Sequence, residues 1–421
     1  MTAQPAQAPD PGVHVHEGEM TPVEVHQSQI LGAIRALPPT ELALAEAEGC
    51  MLAEDVAAAV SLPSFDNSGM DGYAVRAGDT AKAGGEPPVF LPVRGEIAAG
   101  DTGTFTLEAG SAIRIMTGAR MPAGADAVIP VELTDGGSTQ VGLRHQVPVG
   151  NAVRYAGTDA RQGEVLLARG IRLKPMHIAV AASAGRRNVL VRPRPRVVVL
   201  STGNELTEPG TPLAPGRIWD SNSYMIAAAA REAGAIAHRH AIVPDDSATV
   251  LATLEGQLAS ADLLVTTGGV SMGGEHDVVK AVLSQLGTVT FRKVAMQPGM
   301  PQGFGAVGKD QIPIFTLPGN PVSAYISFQL FVRPALGALQ GDLTFSLPSV
   351  RARLTGPVRS PAGRRSYLRA TLSQDKSQVA PLSGQGSHQI AALGRANALV
   401  VVPEPMTSIE GGAEVDVLVL P

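Results

Sequence analysis

Three loops in the second half of the chain carry residue types suited to holding an anion. They are STGNEL at 201–206 after the run RVVVL, TTGGVSMGGEHD at 266–277 after DLLV, and LPGNPVSA at 317–324 after IPIFT. Glycines let backbone amides approach a ligand with no Cβ in the way. A helix that starts from such a loop adds unsatisfied N–H groups and a partial positive charge. Together these features would suit a phosphate, although the spacing matches neither GxGxxG nor a GK[ST] loop. Any one loop also reads as a plain strand-to-helix turn, and Asn320-Pro321 as a helix cap followed by a first helical residue. Three such loops in one region point toward binding. Glu205 and Asp277, at the mouths of two of them, are hard oxygen donors that would hold Mg²⁺ beside a phosphate, or else caps or solvated charges. A fourth loop, SFDNSGMDGYA at 64–74, places Asp66 and Asp71 where turn formation alone also accounts for them. The histidines form no ligand set: His14 and His16 lie in the leader, and His238 and His240 alternate along one strand.

The elements that position these loops alternate regularly. RVVVL, AIAHRHAIV, DLLVTT, TVTFRKVAM and IPIFTL read as strands. Helices fall at about 221–233, up to Leu258, up to Leu286, and from Asn320 onward. That alternation predicts a mostly parallel sheet with helices on both faces, whose ligand crevice lies beyond the carboxyl ends of the strands. Ahead of it, TPVEVHQSQILGAIRALPP predicts a helix capped by Thr21, with Pro22 at its first position and Pro38-Pro39 as its stop. Residues 41–48 predict a second helix. Residues 90–155 alternate short Val/Ile runs with Gly turns, as a β insertion would, and RPRPR at 192–196 reads as a stiff linker into a new domain. Past Gly341 the helical period vanishes, and 346–421 predicts a compact β domain.

Composition fits a folded chain of 421 residues: 44% hydrophobic, 17% charged, with Lys+Arg 33 against Asp+Glu 38 for a net charge of -5. With no basic surplus there is no general affinity for nucleic acid or anionic membrane. Apolar stretches such as 226–230 fall short of the roughly 20 residues that span a bilayer. Cys50 is the only cysteine, so no intrachain disulfide or Cys-based metal site can form, and a cytosolic address follows by default. Residues 1–20 read as a disordered leader.

Taken in order, FDNSGMDGYAVR, GEIAAG, RIMTGARMPAGADAVI, STGNEL, WDSNSYM, TTGGVSMG, KVAMQPGMPQGFG and LPGNPVSA resemble the molybdopterin molybdenumtransferases, a family that includes the C-terminal part of gephyrin. The likeness runs over about residues 20–421. It implies a multidomain α/β plus β fold: a split helical and extended domain (21–64 and 160–192), a β insertion (65–159), a central three-layer α/β pterin-binding domain with a mostly parallel sheet (193–341), and a C-terminal β-barrel-like domain (342–421). It also implies a homodimer. The implied reaction condenses adenylylated molybdopterin with molybdate in a Mg²⁺-dependent step that releases AMP. Contacts with a molybdopterin adenylyltransferase and an apo-molybdoenzyme go with it.

Matched motif by motif, the resemblance assigns Asp71, Thr117, Asp159, Glu205 and Lys293 to catalysis, and Glu205, Asp245 and Asp277 to the metal. Substrate binding falls to Arg154, Ser201, Thr202, Gly268, Gly269, Ser271, Pro318, Gly319, Asn320, Pro321, Arg369 and Ser387. The chain departs from many relatives at Gln297-Pro298-Gly299-Met300, where they carry a K-P-G-K run. Gln can hydrogen-bond an oxyanion without charge, whereas Met offers no electrostatic substitute. Two other classes fit the same motifs: a non-catalytic scaffold like gephyrin, or a pterin adenylyltransferase, which needs only the α/β domain.

Overall fold

The computed structural model describes residues 20–268, 278–286 and 288–421. Two compact units emerge: residues 1–40, 49–51 and 192–421 in one, and residues 41–48 and 52–191 in the other. The expected leader at 1–20 lies outside the described residues apart from its last, Met20.

Helix α1 (Val23–Ala33) opens the first unit. Thr21 is not its cap. The Thr21 N–H donates to the Lys293 carbonyl at 2.7 Å, so the residue is drawn out as an edge strand and Pro22 takes the N-cap position. The helix ends before Pro38, because the Leu37 N–H is claimed by the Leu339 carbonyl at 2.7 Å.

In the second unit, the helix expected over 41–48 is instead a strand, Thr40–Ala43, followed by one 3₁₀ turn, Leu44–Glu46. Local propensity loses there to long-range bonds: Leu44 N–H to the Arg187 carbonyl at 3.1 Å, and Asn188 Nδ2 to Glu41 Oε1 at 3.0 Å. The expected β insertion is a five-stranded sheet of β1 (Gly72–Val75), β2 (Val89–Ile97), β3 (Ala112–Ile115), β4 (Ala127–Pro130) and β5 (Gln140–Leu143), in the order β4-β1-β3-β2-β5. Helix α2 (Pro175–Ser183) follows.

Back in the first unit the chain runs through β6 (Arg196–Ser201), α3 (Asn222–Glu232), β7 (Ile236–Arg239), α4 (Ser247–Leu258), β8 (Leu263–Thr267), α5 (Val278–Leu286), β9 (Thr290–Lys293), β10 (Met296–Gln297), β11 (Pro301–Val307) and β12 (Ile312–Leu317). The main sheet has the order β7-β6-β8-β12-β11-β9. Strands β7, β6, β8 and β12 are parallel, while β11 and β9 add an antiparallel edge. β11 went unread in the sequence because three of its seven residues are Pro or Gly. Along β6 the side chains alternate between two cores. Val197 and Val199 join α3, α1 and the helical run after β12, whereas Val198 and Leu200 join α4 and α5.

That run comprises α6 (Pro321–Ser327), one π turn (Phe328–Val332) and α7 (Arg333–Leu339). It is long and apolar enough to cross a bilayer, but 94% of its apolar window is buried inside the fold, as befits a core helix. The C-terminal region is a closed five-stranded barrel of β13 (Ser349–Leu354), β14 (Arg365–Leu372), β15 (Gln378–Pro381), β16 (Ala398–Val402) and β17 (Glu414–Val419). Pairing of β14 with β16 closes the ring, and β10 adds to β14 in parallel.

Candidate active site

After β6 the chain turns to β7 on one side of the sheet, then crosses back to β8 on the other, which makes the β6/β8 junction the point where strand order reverses. Ser201 and Thr267 stand opposite each other there, with their hydroxyl oxygens 2.7 Å apart. Ser201 Oγ also donates to Asp220 Oδ1 at 3.0 Å. Asp220 is 1% exposed. It accepts the Ser223 N–H at 3.1 Å and the Ser223 hydroxyl, and lies 3.8 Å from Arg239 Nη1. It therefore ties the strand ends to the first turn of α3. The sequence assigned Asp220 no role, although WDSNSYM had been noticed; an acid after an aromatic and before two small polar residues at a helix start was the available signal. Arg239 is committed to Glu208 through two bonds of 2.9 and 2.8 Å and stacks on Tyr224 at 4.2 Å, so the Glu208 carboxyl is held below its usual range, chiefly by that guanidinium.

Thr202 is buried beside Gly268, whose φ of 92° and close approach to the Thr202 carbonyl (3.0 Å from any added Cβ) require glycine. Glu205 is exposed, and its carboxylate folds over Gly203: a Cβ there would come within 2.6 Å of Oε2. Asp245 and Asn204 exchange two bonds, Asn204 N–H to Asp245 Oδ2 at 3.2 Å and Asp245 N–H to Asn204 Oδ1 at 3.3 Å, so the loops that carry the two acids are tied together. Among the described residues no three His, Cys, Asp or Glu side chains converge to hold a metal. Two carboxylates on loops tied together by the Asn204–Asp245 bonds nevertheless suit Mg²⁺, which keeps most of its waters and shares phosphate oxygens. Gly269, Ser271 and Asp277 lie outside the described residues.

The LPGN loop serves two places at once. The Gly319 carbonyl accepts Asn222 Nδ2 at 2.6 Å, on the crevice side, while Asn320 Nδ2 donates to Ser387 Oγ at 3.1 Å, on the barrel side. Asn320 does occupy the N-cap position of α6, with Pro321 first in the helix, but its amide makes no cap bond. Pro318 is buried behind them. Beside Ser387 opens a 420 Å³ cleft lined by Gln297, Pro298, Met300, Arg364 and His388.

Arg364 is a residue the sequence reading missed, and Arg369 is a correction. Arg369 is 1% exposed, and its guanidinium is spent on the carbonyls of Gln389 (3.1 Å), Gly386 (3.1 Å) and Gly384. Burial without an acid partner lowers its pKa. It holds the Ser387 loop in shape and does not line the cleft. Lys293 is exposed at the end of β9 and does not line it either.

In the second unit, the pairing of Gly72 with Ile115 brings Asp71 within hydrogen-bonding reach of Thr117, just past the end of the paired strand. Asp71 Oδ1 accepts the Thr117 N–H at 2.6 Å and its hydroxyl at 2.8 Å, and these bonds, the N–H first, hold the exposed carboxyl below its usual range. Gly72 is required because a Cβ would meet the Ile129 carbonyl at 2.1 Å. Arg154 is exposed and donates to the Gly69 carbonyl at 3.3 Å, in a two-residue strand paired with Asn67 and Ser68. Asp159 follows, exposed, its N–H on the Leu62 carbonyl at 2.9 Å. Asp66 Oδ1 accepts the Ala156 N–H at 2.8 Å, lacing the 62–71 and 153–160 loops together.

Known proteins resemble this chain along most of its length. Residues 21–185 match the MoeA N-terminal region (domain I and II), residues 198–338 a probable molybdopterin binding domain, and residues 351–420 the MoeA C-terminal region (domain IV). Molybdopterin molybdenumtransferase 2 of Mycobacterium tuberculosis is 44% identical over 404 residues, spanning 94% of this chain and 99% of that protein. The molybdopterin molybdenumtransferase of Bacillus subtilis is 36% identical, over 88% of this chain and 87% of its own. A crystal structure of the molybdopterin biosynthesis MoeA protein from Pyrococcus horikoshii superposes with a TM-score of 0.78 at 32% identity, covering 95% of this chain and 99% of that one.

Proposed function

The chain belongs to the molybdopterin molybdenumtransferase family, an enzyme family of molybdenum cofactor biosynthesis, and from that premise we propose that it inserts molybdate into adenylylated molybdopterin with release of AMP. One observation carries the reading. The LPGN loop bonds the crevice residue Asn222 through Gly319 and the cleft residue Ser387 through Asn320. A substrate whose pterin and phosphates occupy the crevice therefore has a cleft with room for an oxyanion one loop away.

The residues divide the work. Phosphate oxygens would lie against the starts of α3 and α6, where the helix termini favour negative charge, although the Ser223 and Val322 N–H groups are already given to Asp220 Oδ1 and the Ser387 carbonyl. Arg364 supplies the cation of the cleft. Ser387, in a loop held by the buried guanidinium of Arg369, and Gln297, on β10, would supply neutral donors to an oxyanion. As an oxygen of molybdate or water bonds to the AMP phosphorus, the P–O bond to the pterin phosphate breaks, and donors held fixed at the crevice would stabilise the negative charge that grows on that departing phosphate. Asp71, whose carboxyl Thr117 holds below its usual range, is proposed with Thr117 and Asp159 as the catalytic set, on the motifs that carry them. Glu205 and Asp245, with Asp277, would hold Mg²⁺, which when bound supplies Lewis-acid polarisation of phosphoanhydride oxygens.

The proposal includes a cytosolic homodimer with the three-layer α/β domain and the split first domain of the family. The scaffold alternative gains no support from a chain that retains Asp71, Glu205 and Asp245 in exposed loops.

The deciding assay combines purified protein, adenylylated molybdopterin, Mg²⁺ and molybdate, and follows AMP by chromatography. Wild type should release AMP only when molybdate is present, whereas Asp71→Ala and Glu205→Ala should stay folded and release none. Near-normal turnover by both variants would remove the active-site assignment.

A further inference from the structure

Asn222 is the first residue of α3, and its side-chain nitrogen donates to the Gly319 carbonyl at 2.6 Å. That bond fixes which way the amide faces: nitrogen toward the LPGN loop, oxygen away from it. The oxygen, Oδ1, is buried and accepts nothing. Folded chains leave few buried acceptors empty, because each keeps its desolvation cost without a return.

Among the described residues, the donors of the Ser201–Asp220–Ser223 network beside it are all committed. The Asp220 carboxylate only accepts, so the single proton of Ser201 goes to it, and Thr267 must be the donor in the Ser201–Thr267 bond. Ser223 gives both its N–H and its hydroxyl to Asp220. Arg239 is taken by Glu208. No donor of this network is left for Asn222, while the same network locks the start of α3 against the strand ends.

We infer that Asn222 is a substrate-reading residue whose Oδ1 accepts a hydrogen bond from an exocyclic amino group on a fused heteroaromatic ring of the ligand in the crevice. The inference rests on the function proposed above, whose substrate carries two such groups, one on the pterin and one on the adenine. The phosphates between them are acceptors at neutral pH and cannot fill the position.

The test is a ligand-side cycle read by calorimetry in the presence of Mg²⁺, using two pairs that differ at the amino group: AMP against IMP, and pterin against lumazine. Wild type should favour the amino member of one pair by about tenfold, the ratio expected for one hydrogen bond to a buried acceptor. The pair that shows it identifies the ring. Asn222→Ala should reduce that preference below about twofold while leaving the affinity of the other member nearly unchanged. A residue that only props the LPGN loop would weaken both members alike. Asn222→Ser, which keeps a small polar side chain at the helix start, repeats the comparison should the alanine variant misfold. The inference falls if either folded variant retains the full preference, or if wild type binds all four ligands without preference. Failure of wild type to bind any of the four overturns both the crevice assignment and this inference.

Discussion

Asp220→Ala tests whether the buried carboxylate under the crevice organises it. Its oxygens receive three hydrogen bonds, from Ser201 Oγ at 3.0 Å, Ser223 N at 3.1 Å and Ser223 Oγ, and face Arg239 Nη1 at 3.8 Å. With the carboxylate gone, the Ser201 hydroxyl can turn to Thr267, 2.7 Å away, and Arg239 keeps both bonds to Glu208. The two donors of Ser223, a residue with no exposed surface, have nowhere else to go. At about 1–3 kcal/mol for each buried donor left empty, the loss of two comes to about 2–6 kcal/mol. Asp220→Asn should cost only about 1–2 kcal/mol, because its oxygen still serves Ser201 and the Ser223 N–H, and Ser223 Oγ can rotate to accept from the new amide. The chain supplies its own probe: Trp219, the only tryptophan, is the preceding residue and half exposed. Equilibrium urea unfolding followed by its emission reports the crevice unit rather than the whole chain. An alanine variant within about 1 kcal/mol of wild type, or an asparagine variant as damaged as the alanine, would refute the reasoning.

Two further outcomes follow from the site. Carbon-detected NMR titration should find Asp71 ionising below the ordinary carboxylate range, and Thr117→Val should move it partway back, since the hydroxyl bond is lost and the larger N–H bond stays. Because the folded-state value is the depressed one, this carboxylate contributes stability above its unfolded pKa and loses it as pH falls through the folded one. The two arginines of the barrel should separate cleanly. Arg364→Ala should raise the KM for molybdate while leaving the melting temperature unchanged, whereas Arg369→Ala should lower the melting temperature, because three carbonyls lose a buried partner.

The three inner parallel strands of the main sheet, β6, β8 and β12, were legible because each is a run of mostly buried β-branched or apolar residues. IPIFTL and DLLVTT end at the residues where β12 and β8 end, and RVVVL falls one short of β6. Elements whose partners lie far away in sequence were not. Residues 41–48 have helical composition and become strand and 3₁₀ turn only because Arg187 and Asn188 bond to them. The extent of the first unit was also hidden: Val23 and Ile30 of α1, and Tyr367, Leu399 and Leu420 of the C-terminal region, share one core with β6 and α3, so residues 193–341 do not own their core alone. Loop glycines and the Asp71–Thr117 pair could be read from motifs. The distinction between Arg364 and Arg369, five positions apart, could not. It depends on where the barrel closes: Arg369 is opposite Leu399 in the β14–β16 pairing, while Arg364 precedes the strand.

Strand β10 is two residues long, and its pairing with β14 sets Met296 against Arg365 and Gln297 against Ser366. Met296 is wholly buried and Gln297 exposed. Inserting or deleting one residue between β9 and β10 would exchange these two sides, pushing a polar amide into the core and an apolar thioether into the cleft. The wall that carries Gln297, Pro298 and Met300 is thus open to revision by substitution and closed to revision by length. A change such as Lys to Gln keeps its frame, and an indel does not.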